Sequence, residues 1–142
     1  VELVQHAAWF VTRLNTSAYS LTPELARQLQ NASLDGMQIT LYSHNAEIHD
    51  TLVGKAGAWE RTVEGIRIAQ AAGLSVSINT PLVEKNKDYI STLRFIHSLG
   101  IHCVGCSSLI PTGNAIEQIA TGKALLPSEL KQILQEAVSL CR

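Results

Sequence analysis

Residues 38–50 read QITLYSHNAEIHD, and the run changes character halfway. Gln38-Ile39-Thr40-Leu41-Tyr42 alternates polar and apolar side chains, the two-residue period of a β-strand. Ser43-His44-Asn45 breaks that period with a polar loop, and a second histidine follows at His49. A strand ending in groups that can bind or titrate is what the ligand-facing end of a parallel sheet or barrel presents. It is also what a plain strand and turn present, so the surrounding pattern has to decide.

Outward from this stretch, helical and strand periods alternate. Residues 2–8 read as the end of a helix and residues 10–15 as a strand. Thr22, Pro23 and Glu24 open a helix as N-cap, first-turn proline and dipole-compensating acid, and it stops near Asp35-Gly36. Strand 37–42 follows, then a loop carrying Gly54 and Gly57. In a helix over 58–72, Trp59, Val63, Ile66 and Ala69 fall on one face, and Gly73 is its C-cap. Residues 74–79 alternate as a strand, 87–99 form a helix closed by Gly100, and Ile101 to Cys106 make a fourth strand. Ser128, after Pro127, caps a last helix with Leu130, Ile133, Leu134, Ala137 and Leu140 on one side.

The order is β-α four times with part of a helix in front, which implies parallel strands joined by right-handed crossovers. The unit recurs every ~30 residues, near the size of a βαβ motif. Four units make either a small open sheet or half of an eight-unit barrel, and periodicity does not separate the two.

The 142 residues suit one domain, and a hydrophobic fraction of 46% supplies an ordinary core. A net charge of -1, with Lys and Arg scattered, gives no reason to expect nucleic acid or an anionic membrane as partner. No apolar run approaches the ~20 residues that span a bilayer. VELVQHAAWF lacks the basic leader of a signal peptide and reads as starting inside a helix, as an excised segment does. Three cysteines without framework spacing point to a reducing cytoplasm.

Ligands of either architecture bind at the carboxyl ends of the strands. That selects Asn15-Thr16-Ser17, Tyr42-Ser43-His44-Asn45, Asn79-Thr80-Pro81 and Ser107 to Gly113, all polar and none with a carboxylate pair. His44 and His49 lack a third metal ligand nearby, so they read as a loop residue and a local hydrogen-bonding group beside Asp50. Cys103 and Cys106 lie three apart on a strand, where side chains point to opposite faces, so they read as small strand residues. Cys141 reads as packing near the end of the last helix. Glycine-rich phosphate loops and a serine nucleophile elbow are absent.

Residues 36–86, GMQITLYSHNAEIHDTLVGKAGAWERTVEGIRIAQAAGLSVSINTPLVEKN, resemble the central part of radical S-adenosylmethionine (SAM) enzymes, in the branch with peptide-modifying maturases and cofactor-biosynthesis proteins. LNTSAYSLTPELARQL (14–29) is similar to the preceding unit of that barrel, and CSSLIPTGNA (106–115) to its sixth strand and exit loop. The resemblance covers residues 8 to about 115 and implies a partial TIM-type barrel of which this chain holds the third to sixth βα units. It implies that the parent protein binds SAM and a [4Fe-4S] cluster, cleaves SAM to a 5′-deoxyadenosyl radical and abstracts hydrogen from a small-molecule or peptide substrate.

Asn15, Thr40, Asn79 and the Leu109, Ile110 and Pro111 segment are the cofactor-binding residues it implies. The C-x3-C-x2-C cluster loop and the "GGE" stretch of the family do not occur, and Leu14 and Thr16 replace the Thr and Gly usual around Asn15. The chain alone is therefore expected to be inert. The alternative is a self-contained α/β module binding a nucleotide or small anion at the same strand ends. Phe10 to Asn15 and Ile101 to Cys106 are expected to be sheet edges and to favour self-association.

Overall fold

The computed structural model describes residues 1–108, 116, 121–122 and 124–141. Its elements are α1 (Glu2–His6), β1 (Arg13–Thr16), α2 (Pro23–Asn31), β2 (Gly36–Thr40), α3 (Ala46–Val53), α4 (Ala58–Ala71), β3 (Val76–Pro81), a 3-10 turn (Glu84–Asn86), α5 (Tyr89–Ser98), β4 (Val104–Ser107) and α6 (Pro127–Leu140). The four strands are parallel, in spatial order β1-β2-β3-β4, so the outer two are the edges expected from the sequence.

Sequential parallel order already favours a barrel over a doubly wound sheet, whose strand order reverses partway. Burial completes the argument. Met37, Ile39, Leu41, Ile78 and Thr80 alternate along the strands and are all buried; with Ala26, Leu29, Ile66, Ala69 and Ile96 from the helices, the apolar ones form the core. The intervening residues Gln38, Thr40, Ser77 and Asn79 are not buried. All the helical packing is thus on one face. An all-parallel sheet normally has both faces covered. Here, among the described residues, the second face is polar and uncovered, as the inner wall of a partly built barrel is.

Local chemistry sets most boundaries. Thr22 Oγ1 accepts the Leu25 N–H at 3.2 Å, the expected N-cap of α2. β1 starts at Arg13 rather than residue 10, because its partner begins only at Gly36. Phe10 and Val11, read as strand, are 75% and 83% exposed. β3 begins two residues later than expected and runs on to Pro81, which moves Asn79 from the end of the strand into it.

The loop read between residues 43 and 57 contains a helix. Asn45 Oδ1 accepts the Ile48 N–H at 3.1 Å to start α3, and Gly54 at φ +75° ends it. Asp50 of α3 then takes the role that Gly57 lacks a side chain to fill: its carboxylate accepts the Gly57 and Trp59 N–H groups at 2.6 and 2.8 Å and caps α4. Ser128 is not the cap of α6. It lies inside the helix, and the Glu129 carboxylate accepts the Leu126 N–H at 2.9 Å instead. Cys141, read as packing, is exposed one residue beyond α6.

Candidate functional site

Strand register assembles the uncovered face. Asn15 pairs with Gln38, Gln38 with Ser77, Thr40 with Asn79, and Asn79 with Gly105. In a parallel sheet such partners share a face. Two polar rows result: Asn15-Gln38-Ser77, and above it Thr40-Asn79-Gly105. Asn79 Nδ2 donates to Ser107 Oγ at 3.4 Å, a cross-strand bond between β3 and β4. Gly105 lies beside the Asn79 amide, where even a Cβ would only reach ordinary contact, 3.5 Å from Asn79 Oδ1. The structure thus brings Thr40 and Asn79 together and puts Asn15 one row below on the same face. Leu109, Ile110 and Pro111 lie outside the described residues.

Other residues of the selected stretches serve the fold. Thr80 faces the helices, is fully buried and donates to the Leu41 carbonyl at 2.9 Å. Ser43 is buried, and its Oγ accepts the Asn45 N–H at 3.0 Å. Thr16 Oγ1 accepts the Ala18 N–H at 3.0 Å. The polar half of QITLYSHNAEIHD is therefore largely helix-initiating chemistry for α3.

The two histidines part company. His44 is half-buried, with its backbone N–H and its Nδ1 each 3.3 Å from Thr92 Oγ1. His49 is buried in α3, and its Nδ1 accepts the Tyr42 N–H at 3.2 Å. Burial holds the His49 pKa below the ordinary histidine value, with the nearby Asp50 charge opposing only in part. The accepting Nδ1 requires the proton, when only one is present, on Nε2.

Protonating His49 must break the Tyr42 bond, so the folded state resists a proton that the unfolded chain takes up near pH 6.5. The stability this supplies is complete above that pH and is lost as pH falls toward the depressed folded value. The urea midpoint is expected to drop between pH 7 and 5, and a His49→Gln variant is expected to show a flatter profile. Equal slopes for the two proteins would refute this role.

The cysteines are not brought together into a pair or cluster among the described residues. All three are free; Cys103 is exposed ahead of β4, while Cys106 is half-buried on the helix side beside Tyr89. Burial pushes the Cys106 thiol pKa up, with the Tyr89 hydroxyl pulling weakly the other way. Burial likewise raises the Tyr89 phenol. Among the described residues, no group of three or more His, Cys, Asp or Glu side chains could hold a metal ion.

Three features escaped the sequence reading. Gln38 and Ser77 belong to the polar face, and their alternation with Ile39 and Ile78 was the available signal. Asn86 is buried; its Nδ2 donates to the Tyr42 and Pro81 carbonyls at 2.7 and 2.9 Å, and its Oδ1 accepts the Val83 N–H at 2.7 Å. A cavity of about 610 Å³ opens above the ends of β1 and β2, between the Ser17–Ser20 loop and α3 and α4, and reaches Thr40 and Tyr42.

Comparison with known proteins agrees with this geometry. An AdoMet-dependent heme synthase of Methanosarcina barkeri (strain Fusaro / DSM 804) is 31% identical over 122 residues, which are 85% of this chain and 34% of that protein. A PqqA peptide cyclase of Methylocella silvestris is 32% identical over 90 residues, 62% of this chain and 24% of that protein. The chain thus spans about a third or less of the length of these relatives. A solved structure of native anSMEcpe with bound AdoMet and Cp18Cys peptide superposes with a TM-score of 0.74 at 10% identity, over 90% of this chain and 36% of that one. That likeness establishes the fold, and the self-contained module is not favoured. Residues 1–96 match the Radical SAM superfamily, and the chain belongs to that family.

Proposed function

We propose that this chain supplies the third to sixth βα units of a radical SAM oxidoreductase, with its uncovered polar face as one wall of the SAM site. The observation that carries the reading is the juxtaposition of Thr40 and Asn79 in adjacent strands of a family member. Thr40 offers a hydroxyl that donates or accepts, and Asn79 an amide that does both, which suits the ribose and amino-acid polar groups of SAM. Asn15, a row lower, and Leu109, Ile110 and Pro111 complete the proposed set.

The described residues do not fit a [4Fe-4S] cluster, which takes closely spaced thiolates. Bound in the parent, cluster and SAM would supply the radical chemistry that removes hydrogen from the substrate. What this chain does is orient and shield. Asn79, fixed by Ser107, presents its amide to the open face, and Thr40 lies beside it at the mouth of the cavity. The substrate is proposed to be a small molecule or peptide, entering from the same strand ends. No helix of the described residues is long and apolar enough to cross a membrane, and three free thiols suit a reducing cytoplasm.

The test is calorimetric titration of the full-length, cluster-loaded protein with SAM. Thr40→Val and Asn79→Ala are each expected to weaken binding about tenfold, the loss of one or two hydrogen bonds in a shielded site. Wild-type affinity in both variants would overturn the assignment.

A further inference from the structure

The cavity above β1 and β2 has a charge pattern of its own. Lys55 Nζ sits 3.9 Å from the centre of the Tyr19 ring, and the Arg61 guanidinium carbon 5.7 Å from it. Lys55 and Tyr19 line the cavity. Neither cation is among the ion pairs of the described residues, which are Glu24–Arg27, Glu64–Arg67 and Glu84–Lys87. Of the acids nearest along the chain, Asp50 is engaged, its two oxygens accepting the Gly57 and Trp59 N–H groups, and Glu60, beside Arg61, is not among the described lining residues of the cavity.

The wall beneath these cations combines the apolar Leu52, Val53 and Ala58 with groups that donate hydrogen bonds. Ser17, Ser20, Tyr42 and Thr62 bring hydroxyls, and His49 accepts from the Tyr42 backbone through Nδ1, which leaves Nε2 as its donor. Among the described residues, no Asp or Glu lines the cavity. A cavity with donors, a cation at its rim and no carboxylate is complementary to an anion. Lys55 is a point charge on a flexible stem, and the Tyr19 face beneath it restrains that stem without neutralising it.

We infer that this cavity binds a carboxylate group of the substrate, with Lys55 as its counter-ion and the Tyr19 ring as the platform that places Lys55. The inference rests on the proposed function in one respect: Thr40 borders both the cavity and the polar face, so a carboxylate held here extends from a substrate whose reacting part lies over the sheet. It deepens that reading by naming a chemical feature of the substrate.

The experiment is an amide chemical-shift titration of the full-length protein with acetate, and in parallel with acetamide, its neutral isostere, and with inorganic phosphate. Acetate is expected to give saturable shifts at Ser17, Tyr19, Ser20 and Thr62, and acetamide none. Lys55→Gln is expected to weaken acetate about tenfold, the scale of one charge-assisted hydrogen bond. Tyr19→Leu should weaken it less, and Tyr19→Phe should leave it unchanged. Lys55 is exposed, so its replacement does not threaten the fold. Shifts that are absent, equal with acetamide, confined to phosphate or unaltered in Lys55→Gln would each overturn the assignment. SAM affinity, measured on the same samples, is expected to be unchanged in Lys55→Gln. Failure of the SAM-site reading would appear in the Thr40 and Asn79 variants and failure of this one in the acetate shifts, so the two are distinguishable.

Discussion

Gly65→Ala is expected to destabilise the protein by about 3 kcal/mol, the upper range for overpacking a tight interface. The sign is what makes the experiment informative. In an exposed helix interior, replacing glycine by alanine gains roughly 1 kcal/mol, because glycine loses more backbone freedom on folding. Gly65 is inside α4 and buried, and a Cβ there would stand 2.7 Å from Ala18 Cβ and closer still to the Ala18 carbonyl oxygen. The obstacle is backbone, so no side chain can turn aside. Nor can the loop yield cheaply, since Ala18 is itself buried with φ at +54°. Thermal unfolding should show a Tm lower by roughly 10 °C. An unchanged or raised Tm would mean that α4 and the Ser17–Ser20 loop are not in contact as described. Because that loop forms one wall of the cavity, the same substitution should also blunt the acetate response.

Asn86→Ala is the second large effect, about 3 kcal/mol. Its amide is the joint between the β2 and β3 exits, bonding the Tyr42 and Pro81 carbonyls and the Val83 N–H together. Truncation leaves three backbone groups without that partner in a buried place, and each such group costs on the order of 1–3 kcal/mol unless water reaches it. Asn86→Asp separates hydrogen bonding from packing. It keeps the shape and the acceptor for Val83, but it loses both donations and turns a carboxylate toward two carbonyl oxygens. It should be at least as damaging as alanine at neutral pH and partly relieved in acid, where the protonated carboxyl donates once. Urea unfolding at pH 7 and 4 reads both. An Asp variant as stable as the parent at pH 7 would show that the amide donors are dispensable.

The sequence carried the β-α alternation because the core strands and helices use the two periods cleanly, as Met37-Ile39-Leu41 and Val63-Ile66-Ala69 illustrate. It did not carry α3, which ends at Gly54 just before a second glycine, Gly57, and is started by Asn45, a residue that reads equally as loop. The choice between sheet and barrel was out of reach too, since it depends on which face the helices cover, and covering is a tertiary fact. For the proposed site, the placing of Thr40 and Asn79 on alternating strands was legible in the sequence, and their role is what the family resemblance implies. Their adjacency came from register, which a strand pattern alone does not set. Lys55 and Tyr19 were invisible for a different reason. They lie 36 positions apart and meet only because α3 folds back over the end of β1.

Each strand of this sheet hides its greasy side beneath helices adjacent to it in the chain, while its other side is content in water. Such a half-shell can be laid down one hairpin-sized unit at a time, from contacts that are short in sequence and therefore quick to form. A polypeptide emerging from the ribosome could tuck away each unit as it appears, without holding out an oily surface while the remainder of its barrel is still being made. The proposed wall of the SAM site would thus begin as the surface that keeps the nascent protein out of trouble.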